Sequence, residues 1–485
     1  MTTDKRCAVI HHEASHTVAG FSNKEVPEGV IPSGYAKLSS DDKTLVFDKY
    51  EMVSMGKSGA GAEVYTLFDE NDVPYNWDAL AQQWGYIYES VLQCTANEVP
   101  LVVTMPAFSK PERARLVMMR YMDMAFYRFN VPVVQFVIEP LAIALSMGKS
   151  SALVIDIGTN GCTVTPVYDG VVVRTGCVRS KYGGAFLDYL AKTKMSEKLG
   201  QDQEGSGSSL QVWYEANTWI QDFKASMLEV ADKDLAELET FYREQAEMFA
   251  RQHEQMQMQQ FGGGPTTIQT NNPLEQAKNF LYRPTGKTVP LTARECYAIP
   301  EALFNPSRVS EKFHREDGLG ELIGKSIKKA AASISSLGST ANSLGSMGAS
   351  MTLPSKTPGN SSTSHNSGNH NGANNSNNTA MPNAGAKSGI TTPEQVYTSL
   401  LTNVIITGAA SLIDGIESRI IRELSIRFPQ YKLVTFANQN LMDRQLQSWM
   451  GAATMANLPS WELGKWYTKE DYEAAKQGGN TDPSR

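Results

Sequence analysis

The stretch His12-Glu-Ala-Ser-His16 has the spacing of a zinc hydrolase motif, two imidazoles four residues apart with a carboxylate beside the first. On a helix that spacing stacks both rings over one zinc ion while the glutamate activates its water. The flanks argue against a helix. Cys7-Ala-Val-Ile10 and Thr17-Val-Ala-Gly-Phe21 are short and β-branched, so they favour two strands, with residues 12 to 15 left to turn between them. On one continuous strand the histidines would be ~13 Å apart. Across a tight turn they could meet, but His11 would then face the other side and no third ligand is evident. The segment reads as a strand, a turn and a strand without metal chemistry.

A second stretch has the same design. Ser151 to Gly170 runs as a strand ending in Asp156, a turn containing Gly158, and another strand. Two such hairpins about 145 residues apart, each opening an α/β half, indicate an internally duplicated chain. The elements that must position them follow from local signals. Asn76 is an N-cap for a helix through Trp84 and Tyr88, and Pro111 opens another from Lys110 to Phe129. Strands are expected at residues 100–104, 131–138, 403–409 and 431–436, and helices at 139–148, 412–427 and 449–457. Residues 213–260 read as a long helical region with one interruption. The alternation is that of an α/β fold.

With 485 residues and 41% hydrophobic content the chain is long enough for two or three domains with real cores. A net charge of -7 argues against broad electrostatic binding to nucleic acid. Five widely spaced cysteines with no C-x-x-C pair indicate neither a disulfide framework nor a zinc site, and hence a reducing compartment. No apolar run of about 18 residues is present, so no membrane span is expected. From residue 326 to 390 the chain turns into Ser, Asn and Gly, a composition that cannot bury enough apolar area to offset its entropy, and it is expected to be disordered.

Several motifs carry a resemblance: Ala19-Gly-Phe21, Asn76-Trp-Asp78, Phe129-Asn-Val-Pro132, Ile138 to Leu145 (IEPLAIAL), Val154-Ile-Asp-Ile-Gly158, Pro300 to Pro306 (PEALFNP) and Trp466 to Glu473 (WYTKEDYE). In this order they resemble actin and the actin-related proteins, over most of the chain outside the low-complexity stretch. The resemblance implies the two-lobed fold shared by actin, Hsp70 and sugar kinases, with duplicated α/β halves and four subdomains. Subdomain 1 would comprise 1–34, 73–147 and 437–485, and subdomain 2 would be 35–72. Subdomain 3 would comprise 148–182 and 391–436, and subdomain 4 would be 183–325, with a helical insertion at about 228–275.

In that family two hairpin turns grip the phosphates of a nucleotide between the lobes. The resemblance places HHEASH at the first turn, where His11 replaces the metal-side Asp, Glu13 and Ser15 replace both glycines, and Val18 replaces the phosphate-contacting Lys. In the second turn Asp156 and Gly158 are kept while Thr159 and Asn160 are not. Glu139 and Thr163 stand where the family orients its water with Gln and His, and Gly408 is kept in the adenosine region with Ala409 beside it. A phosphate loop needs bare backbone N–H groups and a cation, so the expectation is a degenerate ATPase site, with no catalytic residue, no metal, no required cofactor and ATP bound weakly if at all.

Within the family the match is with subunits of nuclear ATP-dependent chromatin remodellers of the SWI/SNF and RSC type. That implies a nuclear scaffold, heterodimeric with a second actin-related protein, which binds the helicase-SANT-associated helix of the motor ATPase to regulate remodelling and transcription. Leu145, Gly148, Val171, Met455 and Leu458 would line the groove for that helix. Small accessory subunits would attend, the nucleosome would be met only indirectly, and neither membrane binding nor a homopolymer is expected. The competing readings are a weak actin-like ATPase and a cytoplasmic cytoskeletal module.

Overall fold

The computed structural model describes residues 6–37, 45–50, 62–200, 208–259, 272–340, 391–437, 441–458 and 465–478. The strands in chain order are β1 (Ala8–His12), β2 (His16–Phe21), β3 (Gly29–Pro32), β4 (Gly34–Lys37), β5 (Leu45–Val46), β6 (Glu63–Thr66), β7 (Leu101–Met105), β8 (Val134–Ile138) and β9 (Ala152–Ile157). They continue with β10 (Cys162–Tyr168), β11 (Val171–Val172), β12 (Val178–Ser180), β13 (Ala277–Tyr282), β14 (Lys287–Thr292), β15 (Val404–Thr407), β16 (Thr435–Ala437) and β17 (Trp466–Tyr467).

Two six-stranded sheets repeat one plan. In the first, the antiparallel hairpin β1–β2 is extended on the β1 side by parallel β7 and then β8. In the second, the hairpin β9–β10 is extended on the β9 side by parallel β15 and then β16. The parallel pairs need crossovers, which the Pro111–Asp123 and Ile416–Arg427 helices supply. The duplication inferred from the two hairpins is therefore a property of the whole architecture. A small sheet, β5-β4-β6, sits on the first half, and the β13–β14 ribbon on the second.

Local signals fix the helix ends. Asn76 accepts a hydrogen bond from the Ala79 N–H at 3.1 Å and starts the Trp77–Tyr86 helix. Thr292 with Glu295, and Thr392 with Gln395, form reciprocal capping boxes. Between the two sheets lie two packed helices, Glu139–Ser146 and Leu441–Asn457, which connect the halves. A Cβ on Gly451 would lie 2.0 Å from the Ala142 carbonyl oxygen, so only glycine allows this approach.

Three expectations are corrected. The long helical region is broken twice, into Ser209–Ala216, Trp219–Met227 and Leu235–Gln259. The boundary at 326 is wrong, because the Leu319–Thr340 helix runs through it. Ile327 and Ala330 are fully buried there, and Ser326 Oγ donates to the Gly176 carbonyl at 2.7 Å. Its apolar residues recur at the helical period, a pattern that the Ser/Ala/Gly composition masked. The second connecting helix begins at Leu441, eight residues before the expected Trp449. The remainder of the low-complexity stretch, 341–390, lies outside the described residues.

Among the described residues, a buried ion pair ties the second half together. Arg419 donates to both Glu301 oxygens, at 2.8 and 3.0 Å, and to Glu423, with Arg419 and Glu301 almost wholly buried. It also donates to the Ala231 and Lys233 carbonyls at the root of the Leu235–Gln259 helix. Removing one partner strands the other charge in a dry interior. Glu301→Gln should lower unfolding stability by about 3 kcal/mol, measured by urea denaturation; a loss below about 1 kcal/mol would mean the pair is solvated.

Candidate functional site

The first hairpin turn uses up its own chemistry. Successive residues of a strand face opposite sides, and here His12 faces the core while His11, also buried, reaches Thr104 and Glu13 on the other face. His12 is buried beside Phe68, Trp84 and Tyr121. Its Nε2 accepts the Trp84 indole N–H at 3.0 Å, so Nδ1 carries the proton and donates to Thr17 Oγ1 at 3.0 Å. Burial first, and the neighbouring His11 second, depress its pKa to about 3, which keeps the ring neutral. Both nitrogens are engaged, so His12 cannot ligate zinc, and no cluster of three metal-ligating side chains occurs among the described residues.

Glu13 occupies the crest of the turn. His11 Nε2 donates to one carboxylate oxygen at 3.3 Å while its Nδ1 lies 2.7 Å from Thr104 Oγ1, and His16 Nε2 approaches the other oxygen at 3.5 Å. Burial raises the Glu13 pKa, but the His11 hydrogen bond and the coupling to His16 and His11 outweigh it and hold the carboxyl below its ordinary range. Val18, opposite His11 in the β1–β2 register, is fully buried in the apolar cluster of Val9, Val102 and Trp449.

The second hairpin supplies the facing wall. Thr163 is paired across the sheet with Asp156 on one side and Arg179 on the other, which puts all three side chains on one face. They line a cavity of about 310 Å³ together with Asp72, Glu139, Lys110 and Arg113. Burial is the main cause of the high Asp156 pKa, about 7, with Glu13 and Asp72 adding to it and Arg179 opposing. Glu139 is raised well above the ordinary value by burial and then by Asp72, Asp156 and Glu13. Asp72 is raised by burial, against the pull of Arg179. Gly408, at φ 88°, is required because a Cβ there would lie 2.3 Å from Asp156 Oδ1.

The structure thus brings Glu139, Asp156 and Thr163 to one cavity, with Glu13 near enough to bear on the ionisation of Asp72, Glu139 and Asp156 and with His11 bonded to Glu13; Gly158 follows β9 and Gly408 follows β15. Sequence reading missed Asp72, Asn160 as a bridging group, and Arg179. The acidic run Asp69-Glu-Asn-Asp72 was a visible signal; its partners in the second half were not. Of the five groove residues, Gly148 and Val171 are exposed and Leu145 and Leu458 half-buried. Met455 is a correction: at 8% exposure it belongs to the core around Trp449 and Ala452, because the helix turns that face inward.

A duplicated α/β chain whose paired hairpins face one another across a cleft is the actin architecture, and the chain belongs to the actin family, whose profile matches residues 3–339 and 350–478. Among its relatives, actin-related protein 7 of Saccharomyces cerevisiae is 51% identical over 98% of both chains. More distant are actin-related protein 4 of Debaryomyces hansenii, 23% identical over 96% of this chain and 94% of that one, and of Schizosaccharomyces pombe, 24% identical over 96% and 93%.

The carboxylate cluster has a measurable consequence without nucleotide or divalent cation. Asp156 is raised in the folded state from 3.8 to about 7, so between those values the folded protein holds a proton that the unfolded chain releases. Stability from this group is present at low pH and lost as pH rises through about 7; Glu139 and Asp72 act with the same sign. Asp156→Asn should flatten the stability profile between pH 4 and 7 and raise stability at pH 8 by about 1–4 kcal/mol, by urea unfolding. A variant less stable than wild type at pH 8 would contradict the charge crowding.

Proposed function

We propose that this chain is a non-catalytic actin-related scaffold of a nuclear ATP-dependent chromatin-remodelling complex. It pairs with a second actin-related protein and grips the helicase-SANT-associated helix of the motor, regulating how that motor works on nucleosomes. The observation that carries the non-catalytic reading is Glu13, held ionised by His11 and His16 at the crest of the first turn. A triphosphate needs positive groups there, and this turn offers a carboxylate backed by the buried Val18. With Glu139 and Thr163 in the water-orienting positions, no side chain there has the family's geometry for aligning an in-line attack. Glu13 opposes a triphosphate at this turn, so on this reading ATP is not required and binds weakly at most. The partners and the nuclear setting rest on the resemblance to remodeller subunits and are supported by the overall similarity to actin-related protein 7.

Two measurements test this reading. Phosphate release from ATP by the purified chain should not rise above background; sustained release that disappears in Asp156→Ala would identify an active site. For the groove, Val171 is the better probe than Met455, since it is 48% exposed and its replacement leaves the core untouched. Val171→Asp should keep the thermal midpoint and weaken binding of a helicase-SANT-associated peptide at least about tenfold, or roughly 1.4 kcal/mol. Unchanged binding would remove Val171 from the interface.

A further inference from the structure

Among the described residues, the two halves of the molecule touch across the cleft at two places away from the Glu139–Ser146 and Leu441–Asn457 helices. The inner one lies beside the carboxylates. Asn160, in the second hairpin turn, donates through its amide to the Asp69 carbonyl and to Asp72 Oδ1, both at 3.0 Å. Arg179 on β12 meets Asp72 Oδ2 at 2.6 Å and donates to the Glu70 carbonyl at 2.9 Å. The receiving loop is built in advance. The Asp69 carboxylate accepts the N–H groups of Asn71 and Val73, and Asp72 takes a positive φ of 56° that fixes the turn.

The outer contact closes the mouth. Ala36, Tyr50 and Ala62 of the small sheet region form one apolar cluster with Leu210 of the Ser209–Ala216 helix, and Tyr50 meets Trp213 edge-on at 4.9 Å between ring centroids. Beside it the Val64 N–H donates to Ser209 Oγ at 2.8 Å. An edge-on aromatic pair adds stabilisation beyond area burial, and a hydrogen bond to a charged group is stronger than one between neutral groups.

We propose that these two contacts form a built-in latch that holds the lobes closed without nucleotide, the Asn160 amide and the Arg179 guanidinium supplying the bridge between halves. The latch is a property of the cleft walls and stands whether or not the site turns over ATP, so its failure and the failure of the non-catalytic reading are separately visible. It gives the scaffold one rigid shape on which a partner can dock, in place of an opening that follows nucleotide state. Opening costs the inner and outer contacts together, because both join the same two halves.

The test uses the full chain, free of nucleotide, with hydrogen exchange at the Val64 amide as reporter of the mouth and at Ile155 as reporter of the core. Val64 should exchange slowly in the wild type, and adding Mg-ATP should change its rate less than about threefold. Asn160→Asp keeps the side-chain size but sets a carboxylate against Asp72; it should accelerate Val64 at least about tenfold with Ile155 unchanged, although the substitution does not touch the mouth. Trp213→Ala should do the same directly. If Trp213→Ala also accelerates Ile155, and so has unfolded, Asn160→Asp alone decides. Fast Val64 exchange in the wild type, closure that needs Mg-ATP, or an Asn160→Asp rate equal to wild type would each overturn the latch.

Discussion

The cleft is governed by an imbalance of charge: Glu13, Asp72, Glu139 and Asp156 raise or oppose one another's ionisation across one small space, and Arg179 is the cation that bears on all but Glu13. Like charges withdrawn from water must be neutralised, protonated or bonded, and each carboxylate here finds a different answer. Glu13 is bonded by two histidines and stays ionised, Asp72 pairs with Arg179 and Asn160, and Asp156 and Glu139 shift towards the protonated form. The geometry that results is set by side chains of this protein, with Arg179 already committed to Asp72.

That arrangement depends on the duplicated plan. Each hairpin ends at its turn on the same side of its sheet, so the plan makes His11 to His16 confront Asp156 to Gly161. The strand pairing then selects which residues look into the gap. Thr163, held between Asp156 and Arg179, is placed by register alone. Behind the turns, the closely packed helices at Gly451 and Ala142 connect the halves, and the Arg419–Glu301 pair fixes the second half. On the proposed reading, a fold suited to opening around a nucleotide is used as a rigid body.

Much of this was legible in the sequence because it is local. β-Branched runs on either side of HEASH made a hairpin out of a string that matches a metal motif, and the cap at Asn76 starts its helix through a bond three residues long. The family motifs located the two turns and the substitutions within them. Where composition and periodicity disagreed, at residues 326–340, periodicity was the better guide, since burial follows the face of a helix and not its average polarity.

The sequence by itself determined the elements, their duplication and the family, since each is written in nearest-neighbour propensities and contiguous motifs. Only the tertiary structure decided what the side chains do. That His12 is a neutral core residue depends on Trp84; that Met455 is core depends on the cluster its helix forms with Val9, Val18 and Val102 of the first sheet. That Asp72 is bonded at all depends on Asn160 and Arg179, from the other half of the molecule. Charge pairing and burial are set by distances in space, and residues so far apart along a chain carry no local signal of meeting until both sheets are assembled.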